Sequence, residues 1–412
     1  MTATLIPPAT VQAAHRNPDV LRWLAAYTSS MLGDSVYYLA LSWAAVQAGT
    51  PAQAGLVMSA SALPRAVLML GGGVIADRFG PRRVVIASDA VRCAAVLAVA
   101  ALLFLTSPGL WPLALLALVF GTVDAVFVPA VGALPARLTE TSQLARVQGM
   151  RGLAIRFSSV VGAPLGGLGV AVGGAPAAFA LAGLLIAVSV PLLVFVRVRD
   201  LPAPDGAGNS TAWRDLGSGL RYIRRHRVLA PLMLAIALGD LGFVGPLNVG
   251  LTLLADRRGW GASGMGWVLA GFGVGAGSAA LLLAVRGRLP RAGLVTGCAC
   301  TVGAVAVGAL AYAPTLAAAV GTALAVGLLT GLSGAMCAAL LQTQTEPAYL
   351  GRVTAVSSLV SLGLTPLSMP FLAAAIGAWG LRPVYVVSAA VCALGGVVAL
   401  VVPALRTAEL PR

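Results

Sequence analysis

Long apolar segments follow one another along almost the whole chain, from Val20 to Leu405, with short polar stretches between them. Each segment has about 20 residues or more, which as a helix is enough to cross a hydrocarbon core of ~30 Å. Backbone groups in a bilayer must pair within their own segment, and the alternating pattern of a membrane barrel is absent, so the pattern predicts helices. We predict twelve spans, numbered in chain order: 20–46, 52–76, 84–107, 111–137, 146–172, 175–197, 228–254, 263–286, 291–313, 314–340, 352–378 and 382–405.

One long polar stretch, 197–227, divides the predicted spans into two groups of about six. Prolines and glycines between Pro202 and Asn209 are typical of a flexible linker. We therefore expect an N-terminal segment (1–19), a first six-helix bundle (20–197), a linker (198–227), a second six-helix bundle (228–405) and a tail (406–412).

Two short motifs occur once in each half of the chain. Leu32-Gly33-Asp34 in span 1 returns as Leu238-Gly239-Asp240 in span 7. Leu144-x-Arg146-Val147 before span 5 returns as Leu350-x-Arg352-Val353 before span 11. Both pairs are separated by 206 residues, half the chain length, which indicates that the two halves share a common origin.

Composition and charge placement support a membrane protein. Hydrophobic residues make up 59% of the chain and charged residues 10%, against about 25% charged residues in an ordinary soluble domain. The net charge is +14, and all 27 basic residues are arginines, most of which lie near the termini and at alternate connections between spans. The other set of connections carries only Arg257, Arg258 and Arg382. The positive-inside rule then predicts cytoplasmic termini in a multi-pass protein of the cell membrane, and the basic charge needs no nucleic acid to explain it.

We expect no signal peptide in residues 1–19, because Pro7, Pro8 and Asp19 interrupt them and the first apolar run is too long to be a cleaved one. The five cysteines all fall inside predicted spans: Cys93, Cys298, Cys300, Cys337 and Cys392. They are interpreted as small apolar packing residues, so disulfides, a metal site and a cofactor are not expected.

The densest charge cluster lies between spans 2 and 3, and we predict that it is a short loop. Its pattern, Gly-x-x-x-Asp-Arg-x-Gly-x-Arg-Arg, resembles the signature between the second and third membrane helices of the major facilitator superfamily. The positions of that signature are Gly73, Asp77, Arg78, Gly80, Arg82 and Arg83. Looser matches, among them Asp89-x-x-Arg92 and Val128-Pro129-Ala130, make the chain similar to bacterial drug and metabolite exporters related to macrolide-efflux proteins and the enterobactin exporter.

The resemblance implies an all-α polytopic fold with twelve transmembrane helices in two pseudo-symmetric six-helix bundles, and cytoplasmic N and C termini. It also implies that Asp77 docks near the start of span 11, close to Arg352 and Val353, where the helix dipole favours an anion. We therefore expect the charged residues of the signature to form a latch between the halves that holds the outward-facing state. In this interpretation they gate transport and do not bind substrate.

Span 5 is where the family's antiporters end a signature in Gly-Pro-x-x-Gly-Gly. Here the stretch is Gly162-Ala163-Pro164-Leu165-Gly166-Gly167, with the proline one place later. Small residues and a proline predict that span 5 approaches a neighbouring helix closely and is kinked at Gly162, Pro164, Gly166 and Gly167.

Three acidic residues fall deep inside predicted spans, where each costs at least about 2.5–3.5 kcal/mol and marks a functional candidate. At 1.5 Å per residue, Asp34 lies roughly 21 Å along span 1, and Asp124 and Asp240 about 18 Å along spans 4 and 7. The resemblance implies that helices 1, 4, 7 and 10 line a central cavity. We predict that one or more of these acids binds a coupling proton. Low dielectric favours the protonated carboxyl, and a nearby cation favours the ionised carboxylate, so a change of surroundings can load or release a proton. The alternative is a structural acid satisfied by an arginine or by helix backbone.

Arg65, about 15 Å from the cytoplasmic end of span 2, is predicted to pair with Asp34. The alternative is a side chain that extends towards a water-filled gap. Asp89 and Arg92, placed near the cytoplasmic end of span 3, are expected to satisfy each other or the arginine-rich loop. Four further residues are candidates to line the cavity, with helix packing or interface anchoring as the alternative for the aromatic ones. They are Tyr37, Tyr38, Phe127 and Asn248.

These features predict a secondary active transporter and not an enzyme. The leading hypothesis is proton-coupled efflux by antiport of an amphipathic drug or secreted metabolite, by a monomer in the lipid bilayer whose partners are the substrate and protons. One alternative is a proton-coupled importer of a small organic metabolite. Another is a membrane-embedded transferase, which is disfavoured because no clustered carboxylates beside Asp77 could hold a metal at the membrane face.

Overall fold

The computed structural model describes residues 16–106, 109–198, 212–286, 291–346 and 349–409, and these are helical almost throughout, as predicted. The first half contains α1 (Pro18–Ala48), α2 (Pro51–Phe79), α3 (Pro81–Leu105), α4 (Trp111–Leu138) and α5 (Thr141–Val194). The second half contains α6 (Ala212–Arg225), α7 (Leu229–Gly245), a π-helical turn (Pro246–Gly250), α8 (Leu251–Arg257), α9 (Gly261–Arg286), α10 (Ala292–Leu310), α11 (Leu316–Gln344), α12 (Leu350–Trp379), α13 (Leu381–Val401) and α14 (Pro403–Arg406).

Within the described residues, eight helical segments are long and apolar enough to cross a membrane. Two of them are composite: Arg146–Val194 covers predicted spans 5 and 6, and Leu229–Arg257 combines α7, the π-helical turn and α8. The helices α1, α2 and α12 have 31, 29 and 30 residues but fall outside that set of eight. The count of twelve spans and the orientation of the termini therefore stay predictions.

Several helices begin where a side chain binds the free N–H groups of the first turn. Asn17 accepts a hydrogen bond from the Asp19 backbone N–H at 2.9 Å. Thr50 and Gln53 form a reciprocal capping box at the start of α2. Thr315 accepts from the Ala318 N–H at 3.2 Å at the start of α11. Such caps satisfy donors that the helix itself leaves unpaired.

Predicted spans 5 and 6 form one helical element, α5, of 54 residues. The break that the sequence places near residues 173–174 is present as two residues with non-helical dihedral angles, Gly173 (φ −143°, ψ 22°) and Gly174 (φ 70°, ψ −170°). The positive φ at Gly174 is a conformation that glycine adopts without a steric penalty. The backbone therefore reverses direction there with no loop.

The charge-dense motif is not a loop, which corrects the prediction. Asp77 and Arg78 lie in the last turn of α2, and Arg82 and Arg83 lie in the first turn of α3. Gly80 alone joins the two helices, with φ 84° and ψ 130°. Only a glycine takes this left-handed geometry easily, so the connection needs a single residue. The surroundings of Gly73 and of the Asp77 side chain lie outside those that the structure describes.

The helix bounds of the two halves correspond under the offset of 206 residues. Shifted by that number, α4 would cover 317–344, and α11 is observed at Leu316–Gln344. Shifted in the same way, α2 would cover 257–285, and α9 is observed at Gly261–Arg286. The offset read from two short motifs therefore agrees with helix bounds to within a few residues.

The molecule has two faces, and the halves are joined near one of them. We call the face with the start of α1 and the end of α13 the terminal face, and the face with the end of α1 and the start of α9 the opposite face. Near the opposite face, Gln47 Nε2 donates to Asp256 Oδ1 at 2.7 Å and Ser42 Oγ hydrogen-bonds to Thr252 Oγ1. Gly55 on α2 packs against Ala373 on α12, so closely that an added Cβ would lie 2.7 Å from the Ala373 side chain. The two halves are therefore in contact near the opposite face.

Candidate functional site

Arg92, on α3, is fully buried and contacts three carboxylates from three helices. Its Nη1 lies 2.9 Å from Asp34 Oδ2 on α1 and 3.2 Å from Asp124 Oδ1 on α4. Its Nη2 contacts Asp89 Oδ1 one turn earlier on α3 and donates to Ser30 Oγ at 3.0 Å. Several charge-assisted hydrogen bonds to one planar guanidinium fix the relative positions of α1, α3 and α4.

Asp89 is the most enclosed acid of this cluster, with 1% of its side chain exposed. Beside Arg92, Ser30 donates to its Oδ1 at 3.0 Å and Ser189 donates to its Oδ2 at 2.5 Å. A buried carboxylate is tolerated when it is both paired and hydrogen-bonded. Asp89 is therefore satisfied on both oxygens and orients Arg92.

Asp124 links the cluster to a second arginine. Arg65 Nη1 lies 3.6 Å from Asp124 Oδ2, and Tyr38 donates to the same oxygen at 3.2 Å. The Arg65 side chain is 27% exposed and that of Asp124 is 9% exposed. The Arg65 contact is consequently longer and wetter than the contacts of Arg92.

The cluster contains three carboxyl groups, of Asp34, Asp89 and Asp124, and two guanidinium groups, of Arg65 and Arg92. With every group ionised it has one excess negative charge, which one bound proton would neutralise. Asp34 is the most exposed of the three acids, at 15%. It is therefore the carboxyl that water reaches most easily.

Aromatic rings enclose the guanidinium of Arg92. Its Cζ lies 3.9 Å from the ring centroid of Phe127 and 5.8 Å from that of Phe120. A cation over an aromatic face is stabilised electrostatically, and more strongly where water is excluded. Tyr37 stacks on Phe120 with 3.7 Å between centroids.

The predicted cavity-lining roles of Tyr37 and Phe127 are wrong. Tyr37 is 0% exposed and Phe127 is 3% exposed, so both are packing residues of the first half. Tyr38, which is partly buried, binds Asp124, and Asn248 donates to the Val244 carbonyl at 2.8 Å within the π-helical turn.

The predicted Arg65–Asp34 pair is also wrong. Arg65 pairs with Asp124, and Asp34 pairs with Arg92, because α3 brings a more deeply buried arginine to Asp34 than α2 does. The expected contact between Asp89 and Arg92 is present, but the sequence did not indicate that Arg92 would reach three acids. The position of Arg92, eleven residues into α3 and roughly 16 Å from its start, was the one feature of the sequence that could have indicated a buried arginine with several acidic partners. Nothing in the sequence marks Ser30 and Ser189 as partners of Asp89.

The small residues of span 5 provide close helix approach, as predicted. An added Cβ on Gly162 would lie 2.5 Å from Ser35 of α1, and one on Gly166 would lie 3.3 Å from Val36. An added Cβ on Gly167 would lie 2.6 Å from the Ala262 carbonyl of α9, in the other half. The non-helical angles of α5 occur only at Gly173 and Gly174, so the dihedral angles stay helical through Pro164, and the kink there stays a prediction.

The described arginines of the signature lie at the terminal face. Arg82 Nε donates to the Leu193 carbonyl at 3.1 Å, and its Nη2 contacts the Val194 carbonyl. It therefore satisfies carbonyl groups at the end of α5, where the helix dipole favours a cation. Arg78 lies 5.7 Å from the Phe79 ring and is exposed, as is Arg83.

Asp240 is separate from this cluster. It lies on α7 in the second half, receives a hydrogen bond from Ser361 at 2.5 Å, and faces a cavity of about 340 Å³. The structure therefore does not bring the three predicted acids together: Asp34 and Asp124 share Arg92, and Asp240 stands alone.

Comparison with known sequences identifies related transporters. Residues 23–361 match the profile of the Major Facilitator Superfamily. The multidrug efflux pump Tap of Mycolicibacterium fortuitum is 28% identical over 96% of this chain and 98% of its own length. The enterobactin exporter EntS of Shigella boydii is 26% identical over 73% of this chain and 71% of its own.

Comparison with solved structures supports the fold. The nucleoside transporter NupG superposes with a TM-score of 0.73 at 11% identity, covering 94% of this chain and all of its own. A POT family transporter in complex with 5-aminolevulinic acid superposes with a TM-score of 0.70 at 11% identity, covering 93% of this chain and 95% of its own. These similarities concern architecture and do not extend to substrates.

Proposed function

The chain belongs to the major facilitator superfamily, and from that premise we propose that it is a proton-coupled exporter of amphipathic drugs or a secreted metabolite. It is a multi-pass membrane transporter and not an enzyme, and both groups of relatives named above are efflux proteins. The observation that best supports proton coupling is the Arg92 cluster, in which two buried carboxyl groups and the partly buried Asp34 face two arginines.

In this proposal Asp34 binds the coupling proton. It is the most exposed acid of the cluster, and Arg92 is its only ion-pair partner within the described part of the chain. Protonation would remove the charge that binds Nη1 of Arg92, and would leave Asp124 as the carboxylate facing that nitrogen. The pairing across α1, α3 and α4 would then differ between the protonated and deprotonated states. A proton can bias two conformations only through such a difference.

Alternating access in this proposal uses the contact between the halves. The pairs Gln47–Asp256 and Ser42–Thr252 close the opposite face, while the second-half cavity extends to Gln342 and Thr354, near the ends of their helices at the terminal face. Arginine placement makes the terminal face cytoplasmic, by the positive-inside rule. The conformation described here would then be inward-facing, ready to accept a substrate from the cytoplasm.

The test is transport in inverted vesicles with the proton gradient imposed in either direction. A growth screen of toxic compounds in a pump-deficient host first identifies a substrate. An exporter should accumulate that substrate in inverted vesicles when the lumen is acid, and lose the accumulation when the gradient is collapsed. Accumulation that ignores the gradient would exclude proton coupling, and uptake only into right-side-out vesicles would show an importer.

A further inference from the structure

The second half encloses a cavity of about 340 Å³ between α7, α10, α11, α12 and α13. Ile236, Phe243 and Leu341 contribute apolar surface, and hydroxyl groups come from residues such as Thr330 and Ser357. Among the described residues of its lining, Asp240 has the one charged side chain. A volume of this size, with apolar surface over most of its walls and hydroxyl groups that can orient a ligand, is typical of a site for a drug-sized ligand.

Asp240 is partly buried and has no cation beside it in the described structure. Ser361 donates to its Oδ2 at 2.5 Å. The ion pairs of the described residues involve Asp19, Asp34, Asp89 and Asp124, and Asp240 is not among them. A carboxylate in a mainly apolar wall is stabilised by a positive partner, and the described residues supply none there.

The repeated acid has an arginine partner in the first half of the chain but not in the described part of the second half. Asp34 and Asp240 are equivalent residues of the repeated motif, 206 positions apart. The same offset takes Arg92 to Cys298 and Arg65 to Gly271. The helix α10, which corresponds to α3, has no charged residue at all. The second half therefore keeps the acid of the repeat, but it has no arginine at the position of Arg92, which pairs with Asp34, or at the position of Arg65, which pairs with Asp124.

We propose that this cavity binds the positively charged group of an amphipathic organic cation, with Asp240 as its counterion. The inference rests on the proposed transport function and names its substrate class. The cationic group of the ligand lies beside Asp240 as Arg92 lies beside Asp34. The apolar part of the ligand contacts Ile236 and Phe243, and the hydroxyl groups of the cavity form hydrogen bonds with its polar groups. The competing assignment, a second coupling-proton site at Asp240, predicts no preference for cationic ligands.

The test measures binding of two ions with the same shape and opposite charge, tetraphenylphosphonium and tetraphenylborate, to the purified full-length protein in lipid nanodiscs by equilibrium dialysis. We expect saturable binding of tetraphenylphosphonium and none of tetraphenylborate. Asp240→Asn should weaken tetraphenylphosphonium binding at least about tenfold, as removal of one partner of a buried charge pair does. Asp240→Glu should retain binding, and Glu140→Gln, at an exposed carboxyl outside the cavity, should leave it unchanged.

A space-filling variant locates the site without altering Asp240. Gly334 lines the cavity, and an added Cβ there meets no atom within 4 Å, so Gly334→Leu should fold and occupy the cavity. It should abolish tetraphenylphosphonium binding. Gly132→Leu is the matched control, because its Cβ also meets open space but the residue lies on α4 in the first half. Equal binding of both ions, no saturable binding of tetraphenylphosphonium, or unchanged binding in Asp240→Asn or Gly334→Leu would overturn the proposal.

The same proteins separate this inference from the proposed function. Asp34→Asn should abolish proton-driven transport while tetraphenylphosphonium still binds, because Asp34 lies in the other half. Charge-selective binding without proton-driven transport would contradict the exporter and support the cation site. Proton-driven transport with equal binding of both ions would support the exporter and contradict the cation site.

Discussion

At the scale of single residues, the first half concentrates its buried charge on Arg92. One guanidinium contacts Asp34, Asp89 and Asp124, and Phe127 lies 3.9 Å from it. The three acids differ in solvent exposure, from 1% at Asp89 to 15% at Asp34. Their roles should therefore differ: Asp89 orients the arginine, and Asp34 exchanges with solvent.

Replacing Asp34 by Asn should abolish proton-driven transport while the protein stays folded. Asparagine keeps the shape of the side chain but cannot release a proton, so the excess negative charge of the cluster is lost. The measurement is substrate accumulation in inverted vesicles, with the melting temperature of the purified protein as the check on folding. The matched control is Glu140→Gln, which changes an exposed carboxyl and should transport normally. Full gradient-dependent transport by Asp34→Asn would show that Asp34 does not couple the proton.

Substitution of Arg92 by Lys should destabilise the protein far more than the same change at Arg65. A lysine ammonium cannot reach three carboxylates from one planar group, so at least one buried acid loses its partner, at a cost of about 3–5 kcal/mol. Arg65 is 27% exposed and 3.6 Å from its one acid, which makes its contribution small, about 1 kcal/mol or less. Thermal unfolding in one detergent gives the ranking. Similar melting temperatures for the two variants would contradict the central role assigned to Arg92.

The sequence predicted which residues are unusual better than it predicted their partners. The depth of Asp34 and Asp124 followed from apolar spans and helical rise, and both lie in the cluster. The error at Arg65 arose because depth along a helix does not fix the direction in which a side chain points. Tyr37 and Phe127 were misassigned for the same reason, since an aromatic side chain on a membrane helix can face a cavity or a neighbouring ring equally well.

At the scale of helices, close approach depends on glycines placed at crossing points. Gly162 and Gly166 bring α5 against α1, Gly167 brings it against α9, and Gly55 brings α2 against α12. Small residues at helix interfaces let backbones meet in a bilayer, where apolar packing alone gives little preference for one contact over another. The sequence predicted this use of the span 5 glycines. The sequence could not show that the chain reverses at Gly173 and Gly174 without a loop. A pair of glycines fits a loop between two helices as well as it fits a direct reversal.

Enlarging Gly55 should shift the protein away from the closed opposite face. In Gly55→Leu the new side chain would collide with Ala373 and with the backbone of Pro370, which a Cβ would approach to 3.0 Å. A cysteine introduced at Ser42, which is 2% exposed in the contact between the halves, reports the change through its rate of labelling by a maleimide. Labelling should accelerate by about tenfold or more in Gly55→Leu, since backbone collisions of this size cost over 1.4 kcal/mol.

The control for that experiment is Gly132→Leu, at a position where an added Cβ meets nothing within 4 Å. It should label at the rate of the parent carrying only Ser42→Cys. An unchanged rate in Gly55→Leu would mean that the contact between α2 and α12 does not hold the opposite face closed.

At the scale of the whole molecule, the two halves surround a repeated acid differently. Helix bounds agree under the offset of 206, and an acid follows Leu-Gly in both α1 and α7. The first half neutralises that acid with Arg92, whereas the second half leaves it facing a cavity. In the proposed transporter, the proton would therefore bind in the first half and the substrate in the second half. A single sequence showed the repeat, but the difference depends on which side chains meet across helices.

The signature at the end of α2 gives a prediction at this scale. If Asp77 latches the terminal face in the outward-facing state, Asp77→Asn should favour the conformation described here and slow transport. Labelling of a cysteine at Ser42 should then fall below that of the parent, the opposite of the effect of Gly55→Leu. The control is Asp19→Asn, an acid at the same face on α1 that pairs with Arg22. Normal transport and unchanged labelling in Asp77→Asn would refute the latch.

The single-residue connection at Gly80 has a mechanical consequence. Since α2 and α3 have no loop between them, α2 cannot move at the terminal face without displacing the first turn of α3, where Arg82 is tied to the end of α5. At its other end α2 meets the second half through Gly55. The same helix also contains Pro64, whose missing N–H makes a bending point directly before Arg65. When the halves separate, α2 would therefore bend at Pro64. The Arg65–Asp124 distance next to it would then change with the separation of the halves.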